Sequence, residues 1–500
     1  MKHYEIANFL YKLGIRKIVG VVGGGDSFDI INSFMNLGGE FHSTPTEFSA
    51  PIIAGSMNQV GICELTAASI SIRGPGVIAS APGLYFNRLE DLHSISISES
   101  VAKKDEQFNF HKSLDLSTLL KSIGFVSNED LDFETFSSTN LKFSGESSGY
   151  HFTTKQNSVF SYIKNKNEMC FFEKCIEMKH SFINENFILV IGKRSAQILQ
   201  SDDSILDKLP HFLTPAALPY CNLQSDTFLG VWTGTEQFKS EFLELNVLKN
   251  TTIVRVGVMK RELLTLKENI PHVDIEVDSF FELIKQPDVF ALKYQEVLRS
   301  DNVTLNQYRN KIADQAGNWS AYSVIRALNE IERQVNFAID VGSFATIAET
   351  FLRPPRKKSI FGPFISKFMG TAIPISIGIS FGEPNIPIIC LIGEGGLAAS
   401  MGELPTLSDL NLPICLLIFS DGTMHSIIDR KNLSPEAKML FAPPNFDVIQ
   451  KMRMPNFPFY KASSLRELQK LLQAWDYNSP LAIFLQFDSL TYAKGVELLR

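Results

Sequence analysis

A chain of 500 residues, 44% hydrophobic and 20% charged, holds roughly two to four ordinary globular domains and excludes wholesale disorder. Its formal net charge of −7 leaves no basic footprint, which argues against nucleic acid as the main partner. Six scattered cysteines without a CxxC pair, no apolar signal core after Met1 and no bilayer-length apolar run predict a cytoplasmic protein with reduced thiols and no membrane contact.

Helical spacing runs from Tyr4 to Leu13, and a β-rich run from Lys17 to Val22 ends in Gly23-Gly24-Gly25-Asp26. A helical stretch follows over Ser27–Met35. Glu47 then stands just before the small-residue stretch Ala50–Met57, and the short strand Ser69–Ile72 feeds Arg73-Gly74-Pro75-Gly76. From Ser127 to Lys166 the chain turns polar and loses its periodicity, which reads as a connector with poorly defined strands.

A second α/β segment opens with the buried-strand run Phe187–Ile191 and Gly192-Lys193, and repeats the strand-then-turn pattern at Thr252–Gly257 and Val273–Asp278. It contains no GxGxxG, so no dinucleotide is assigned to it. After the charged stretch Gln295–Asp314 comes a helix carrying Ala321, Val324 and Leu328, then a strand from Asn336 to Asp340. The fold class is therefore α/β, with three consecutive doubly wound parallel-sheet domains at 1–165 (its polar connector at about 127–166), 186–300 and 315–500.

The third segment holds the densest chemistry. The strand Ile388–Ile392 breaks into Gly393-Glu394-Gly395-Gly396, and a second strand, Ile414–Phe419, ends in Ser420-Asp421-Gly422-Thr423. Helix-like content from Ser400 to Leu410 joins them into a βαβ unit, whose right-handed crossover brings both acids to one sheet edge. Two hard oxygen ligands beside glycines suit a divalent cation holding a phosphate, and a tight strand-to-helix turn without ligand fits the same residues equally well.

Taken together, these motifs resemble the thiamine-diphosphate enzymes of acetolactate synthase and pyruvate decarboxylase type. Glu47 matches the glutamate that faces the cofactor's aminopyrimidine, although Thr46 replaces the usual preceding His. In that family such a carboxyl shares a proton with the ring, which makes the 4′-amine the base for the thiazolium C2 proton. Val19–Gly23 resembles the family's VFGxPG turn, with Val22 for proline, and Gly74-Pro75-Gly76 its GPG turn, with Arg73 ahead of it. Phe110–Asp115 is similar to the His-Gln-Ser-Met-Asp of catabolic acetolactate synthases. The resemblance makes His111 a proton donor and Lys112 a partner for a substrate carboxylate, and helix-start polar residues without chemistry are the alternative.

Phe368–Gly378 resembles MGxxLPxAxG, in which Met369 would prop the cofactor into its bent shape. Gly393-Glu394-Gly395 with Ser420-Asp421 matches GDG…NN, so the resemblance implies Glu394, Asp421 and the Thr423 carbonyl as ligands of Mg²⁺. Gly23, Gly74, Gly395, Gly396 and Met424 fall at cofactor-binding positions, Met424 also beside a pocket for substrate. The domains become, in order, pyrimidine-binding, central and diphosphate-binding.

The implied activity is decarboxylation of a small 2-oxo acid with carboligation to a second carbonyl. A simple decarboxylase and a degenerate, non-catalytic cofactor-binding homologue are the alternatives. Ile427, where pyruvate decarboxylases place a glutamate, speaks against simple aldehyde release. Thiamine diphosphate and Mg²⁺ are the implied cofactors, FAD is not supported, and a homodimer or homotetramer with active sites at the subunit interface follows from the resemblance.

Overall fold

The computed structural model describes residues 3–23, 26–61, 66–98 except 72–73, parts of 119–128 and 149–161, most of 186–232, parts of 251–275, 314–422 except 355 and 357, 456–488, and a few isolated positions. Three sheets organise these residues, each edged or centred on parallel strands.

The first sheet has the order β2-β1-β3-β4-β6-β7-β5. Its strands are β1 (Lys17–Gly20), β2 (Glu40–Ser43), β3 (Ala67–Ser71), β4 (Ser94–Ser98), β5 (Val126–Asn128), β6 (Gly149–Thr153) and β7 (Val159–Ser161). Between them run α1 (His3–Lys12), α2 (Asp26–Asn36), α3 (Ser49–Val60) and α4 (Pro75–Leu89). The polar stretch expected as a connector instead extends this sheet: β6 pairs in parallel with β4, and β7 lies antiparallel to both β5 and β6. Edge pairing needs backbone donors and acceptors more than apolar side chains, so a polar sequence can supply it.

The central sheet, ordered β10-β9-β8-β11-β12, comprises β8 (Asn186–Ile191), β9 (His211–Leu213), β10 (Phe228–Val231), β11 (Thr251–Val256) and β12 (His272–Ile275), with α5 (Lys193–Leu199) after β8. Its strands all pair in parallel among the described residues. The third sheet, ordered β14-β13-β15-β16-β18-β17, is likewise parallel. It contains β13 (Asn336–Ile339), β14 (Ile360–Phe361), β15 (Ile388–Gly393), β16 (Ile414–Ser420), β17 (Phe459–Ala462) and β18 (Leu481–Gln486). Its helices are α6 (Ala321–Asn329), α7 (Ser343–Phe351), α8 (Ala372–Gly382), α9 (Glu394–Ser400), α10 (Leu404–Asp409) and α11 (Leu465–Ala474).

The cores cross from sheet to sheet. Ala50, Ile53 and Met57 of α3 share one apolar cluster with Ile373, Ile377 and the third-sheet strands. Another cluster joins Leu189 and Val254 of the central sheet to Phe337 and Leu391 of the third. Helix α8 is apolar on every side, as a helix sandwiched between layers must be. It lies so close to α3 that a Cβ on Gly378 would stand 2.4 Å from the Ile53 carbonyl oxygen. Among the described residues no helix is long and apolar enough to cross a membrane.

Candidate active site

Open parallel sheets bind ligands beyond the carboxyl ends of their strands, where the chain changes its winding direction. In the third sheet β14 lies on one side of β13 and β15 on the other, so this switch point falls between the ends of β13 and β15. Asp340 follows β13 there, and Glu394 follows β15. Strand β16 runs beside β15 with Gly393 opposite Phe419, which sets Asp421 at the same edge as Glu394. The expected juxtaposition of the two acids is present.

The Gly393–Gly396 segment is not a loop. Gly393 closes β15 and Glu394 is already the first residue of α9, so both glycines that follow are helical. At Gly396 the reason is steric, because a Cβ would stand 2.3 Å from Asp340 Oδ2. Glu394 reaches across to the next strand end, accepting Ser420 Oγ at 2.8 Å and Gly422 N at 3.1 Å. Burial raises its carboxyl above the usual range, and the negative charge of Asp421 pushes the same way.

Asp340, unassigned from the sequence, forms the floor of this edge. It is 1% exposed and accepts the backbone N–H of Val341 at 2.7 Å and of Gly370 at 3.0 and 2.9 Å. Burial nevertheless lifts it to about 7, against the lowering by these donors and by the Thr371 N–H. Gly370 takes the left-handed φ of +82°, and a Cβ there would meet Ala399 at 2.6 Å, so the turn that presents Met369 is locked between Asp340 and α9. The Met369 side chain itself is 46% exposed. A sequence signal for Asp340 existed, namely an acid at a strand end followed by glycine, but only the strand order makes it a switch-point residue.

The first sheet repeats this layout. Strands β2 and β3 flank β1, so its switch point lies between the ends of β1 and β3, and Gly23 and Gly74 follow those two strands. Gly74 has φ +78° and opens α4. Glu47 lies in the turn between β2 and α3, half-buried, with its Oε2 shut off from solvent. That turn meets the third sheet through Glu403, which accepts Thr46 Oγ1 at 3.0 Å. His111, Lys112, Thr423 and Met424 lie outside the described residues.

The central sheet differs at the equivalent place. Between the ends of β8 and β11 a Cβ on Gly192 would stand 2.4 Å from the Gly257 carbonyl oxygen. The buried Glu262 carboxylate accepts the N–H groups of Lys193 and Met259 and the Thr214 hydroxyl. This crevice is filled by the chain itself.

Residues 340–483 match the model of the thiamine pyrophosphate enzyme C-terminal TPP-binding domain, a span that starts at Asp340 and includes Glu394 and Asp421. Over part of its length the chain is similar to thiamine-diphosphate enzymes of acetolactate synthase type. Its relatives include an acetolactate synthase large subunit of Pyropia yezoensis, 24% identical over 34% of this chain and 30% of that protein. A probable acetolactate synthase large subunit of Methanococcus aeolicus is 27% identical over 22% of this chain and 18% of that one. The pyruvate oxidase of Lactiplantibacillus plantarum is 31% identical over 21% of this chain and 18% of its own length. The matched part thus spans less than a third of each of these family members.

Proposed function

We propose that the protein binds thiamine diphosphate with Mg²⁺ and uses it to decarboxylate a small 2-oxo acid, joining the product to a second carbonyl. The observation that carries this reading is the pairing of Glu394 and Asp421 at adjacent strand ends, beside the β13/β15 switch point. The Asp421 charge raises the proton affinity of Glu394, and a divalent cation between two such carboxylates would relieve that repulsion. Among the described residues no group of three His, Cys, Asp or Glu side chains is arranged to hold a metal. The cation would therefore draw on these two carboxylates, the Thr423 carbonyl, phosphate oxygens and water, in keeping with the few protein ligands that Mg²⁺ takes.

When bound, the cofactor supplies the carbanion chemistry. Glu394 and Asp421 would hold the metal, and the backbone around Gly395 and Gly396 would lie against the diphosphate. Met369 would support the cofactor from its exposed turn. Glu47 would face the aminopyrimidine with a carboxyl oxygen closed off from water, placed to hold or give up a proton. His111 and Lys112 serve the substrate as proton donor and carboxylate partner, and Met424 borders the pocket. Gly23 and Gly74 let the first sheet's strand ends approach the ring of the cofactor bound by a second copy of the chain, in a homodimer or homotetramer. No flavin belongs to this reading, since the buried Glu262 side chain, bonded to the Lys193 and Met259 N–H groups, already occupies the central crevice.

The test is calorimetric titration of thiamine diphosphate with and without Mg²⁺, followed by a panel of 2-oxo acids with product identification. Mg²⁺-dependent binding and release of CO₂ with a condensed product are expected. Glu47→Gln is expected to lower turnover about 10²–10⁴-fold, the usual contribution of a positioned acid–base group. Turnover that Glu47→Gln leaves untouched refutes the mechanism.

A further inference from the structure

Glu403 carries no role in the proposed chemistry, yet it is 1% exposed, and among the described residues hydroxyls are its hydrogen-bond partners. A buried carboxylate in such a place is costly unless neutral donors surround it. Four hydroxyls do so. Thr44 Oγ1 reaches its two oxygens at 3.0 and 3.1 Å, Thr46 Oγ1 reaches Oε1 at 3.0 Å, Thr406 Oγ1 reaches Oε2 at 3.5 Å, and the Ser49 hydroxyl also donates to it.

Three of these four donors come from the turn that carries Glu47. That turn is short and stiff: the Thr44 N–H is bonded to the Gly20 carbonyl at 3.0 Å, Pro45 fixes one φ, and the Ser49 N–H caps back to Thr46 Oγ1 at 3.2 Å. Glu403 itself closes the short helical turn that joins α9, which Glu394 begins, to α10. One carboxylate therefore ties the Glu47 turn of the first sheet to the segment that starts at the proposed metal ligand. Thr46 is one of the hydroxyls that make the grip.

We infer that Glu403 is a positioning residue for Glu47, holding the Thr44–Ser49 turn through its hydroxyl cradle so that the Glu47 carboxyl is set at a fixed place. The inference rests on the reading of Glu47 as the acid that faces the cofactor. Loss of hydrogen bonds to a charged acceptor shifts a local opening equilibrium by about ten-fold or more. In Glu403→Ala, and more mildly in Thr46→Val, amide hydrogen exchange of a peptide covering 44–50 rises by about that factor in the full-length protein without cofactor, with peptides of β15 and β16 unchanged. With thiamine diphosphate and Mg²⁺ bound to saturation, deuterium exchange at the cofactor's C2, read by NMR after acid quench, slows in both variants. Glu403→Gln, which keeps one oxygen acceptor, recovers part of both effects.

Unchanged exchange at 44–50 in both variants overturns the inference, as does a rise spread evenly over all peptides. Faster amide exchange with C2 exchange as fast as wild type overturns the positioning role. The same C2 measurement on Glu47→Gln separates the two ideas: if that variant exchanges at the wild-type rate the mechanism itself fails, and the grip of Glu403 on the turn is then judged by amide exchange alone.

Discussion

At the scale of single residues, Asp340 has the clearest consequence. Its carboxyl sits at about 7 in the folded chain, against an ordinary value of 3.8, because burial outweighs the backbone N–H groups it accepts. Between those two pH values the folded state keeps a proton that the unfolded state has released. Stability therefore falls as pH rises from about 4 to about 7, and this contribution levels off on either side. Asp340→Asn keeps an oxygen for the Val341 and Gly370 N–H groups and cannot ionise. Urea unfolding of the cofactor-free protein at pH 4.5 and 7.5 should show wild type losing ~3 kcal/mol more than the variant across that interval. Equal losses would place the Asp340 carboxyl in the ordinary range. Asp340 was visible in the sequence only as the end of a strand, and Glu403 only as part of a connecting motif, because burial and cross-sheet partners have no local signature. Glu394 and Asp421 were legible from their positions after two apolar runs.

At the scale of elements, periodicity located the strands well. Two segments were read less closely. Gly393–Gly396 read as a strand-to-helix turn, and the helix already starts at Glu394, with Gly396 packed against Asp340. The 127–166 stretch read as a connector with poorly defined strands, and it supplies β6 and β7, whose polar composition shows no alternation. Helix α3 was legible as an apolar small-residue stretch and α8 only through the motif at Phe368–Gly378, but the closeness of their contact was not legible at all. At Gly378 an added Cβ faces the Ile53 carbonyl at 2.4 Å, backbone that has no room to give. At Gly382 it faces a Val60 methyl at the same distance, which can move. Gly378→Ala is expected to cost about 1–3 kcal/mol or more in urea unfolding, and Gly382→Ala clearly less. The reverse ranking would mean that the helices can slide apart freely.

At the scale of the whole molecule, the sequence spoke of three successive α/β units and not of how they are joined. One buried node does much of the joining. The Glu90 carboxylate, at the end of α4, accepts the N–H groups of Ile365 at 2.9 Å and Ser366 at 2.6 Å from the third sheet's side. Its own carbonyl accepts the Lys193 ammonium, which comes from the central sheet and is 3% exposed. The same positive charge lowers the proton affinity of both Glu90 and Glu262, against the larger effect of their burial. Lys193→Met keeps most of the apolar stem and removes the charge, leaving two buried carboxylates without it. Breaking a buried charge cluster in this way costs about 3–5 kcal/mol. Because Lys193 adds a polar tie from the central sheet to its neighbours beside the shared apolar cluster, the loss should fall on the central sheet first. Hydrogen exchange in stepped urea should then show peptides of β8 and β11 losing protection at lower denaturant than those of β15 and β16, whereas in wild type the gap is smaller. If the gap in Lys193→Met is no wider than in wild type, the three sheets are held together by their shared apolar clusters and not by this node.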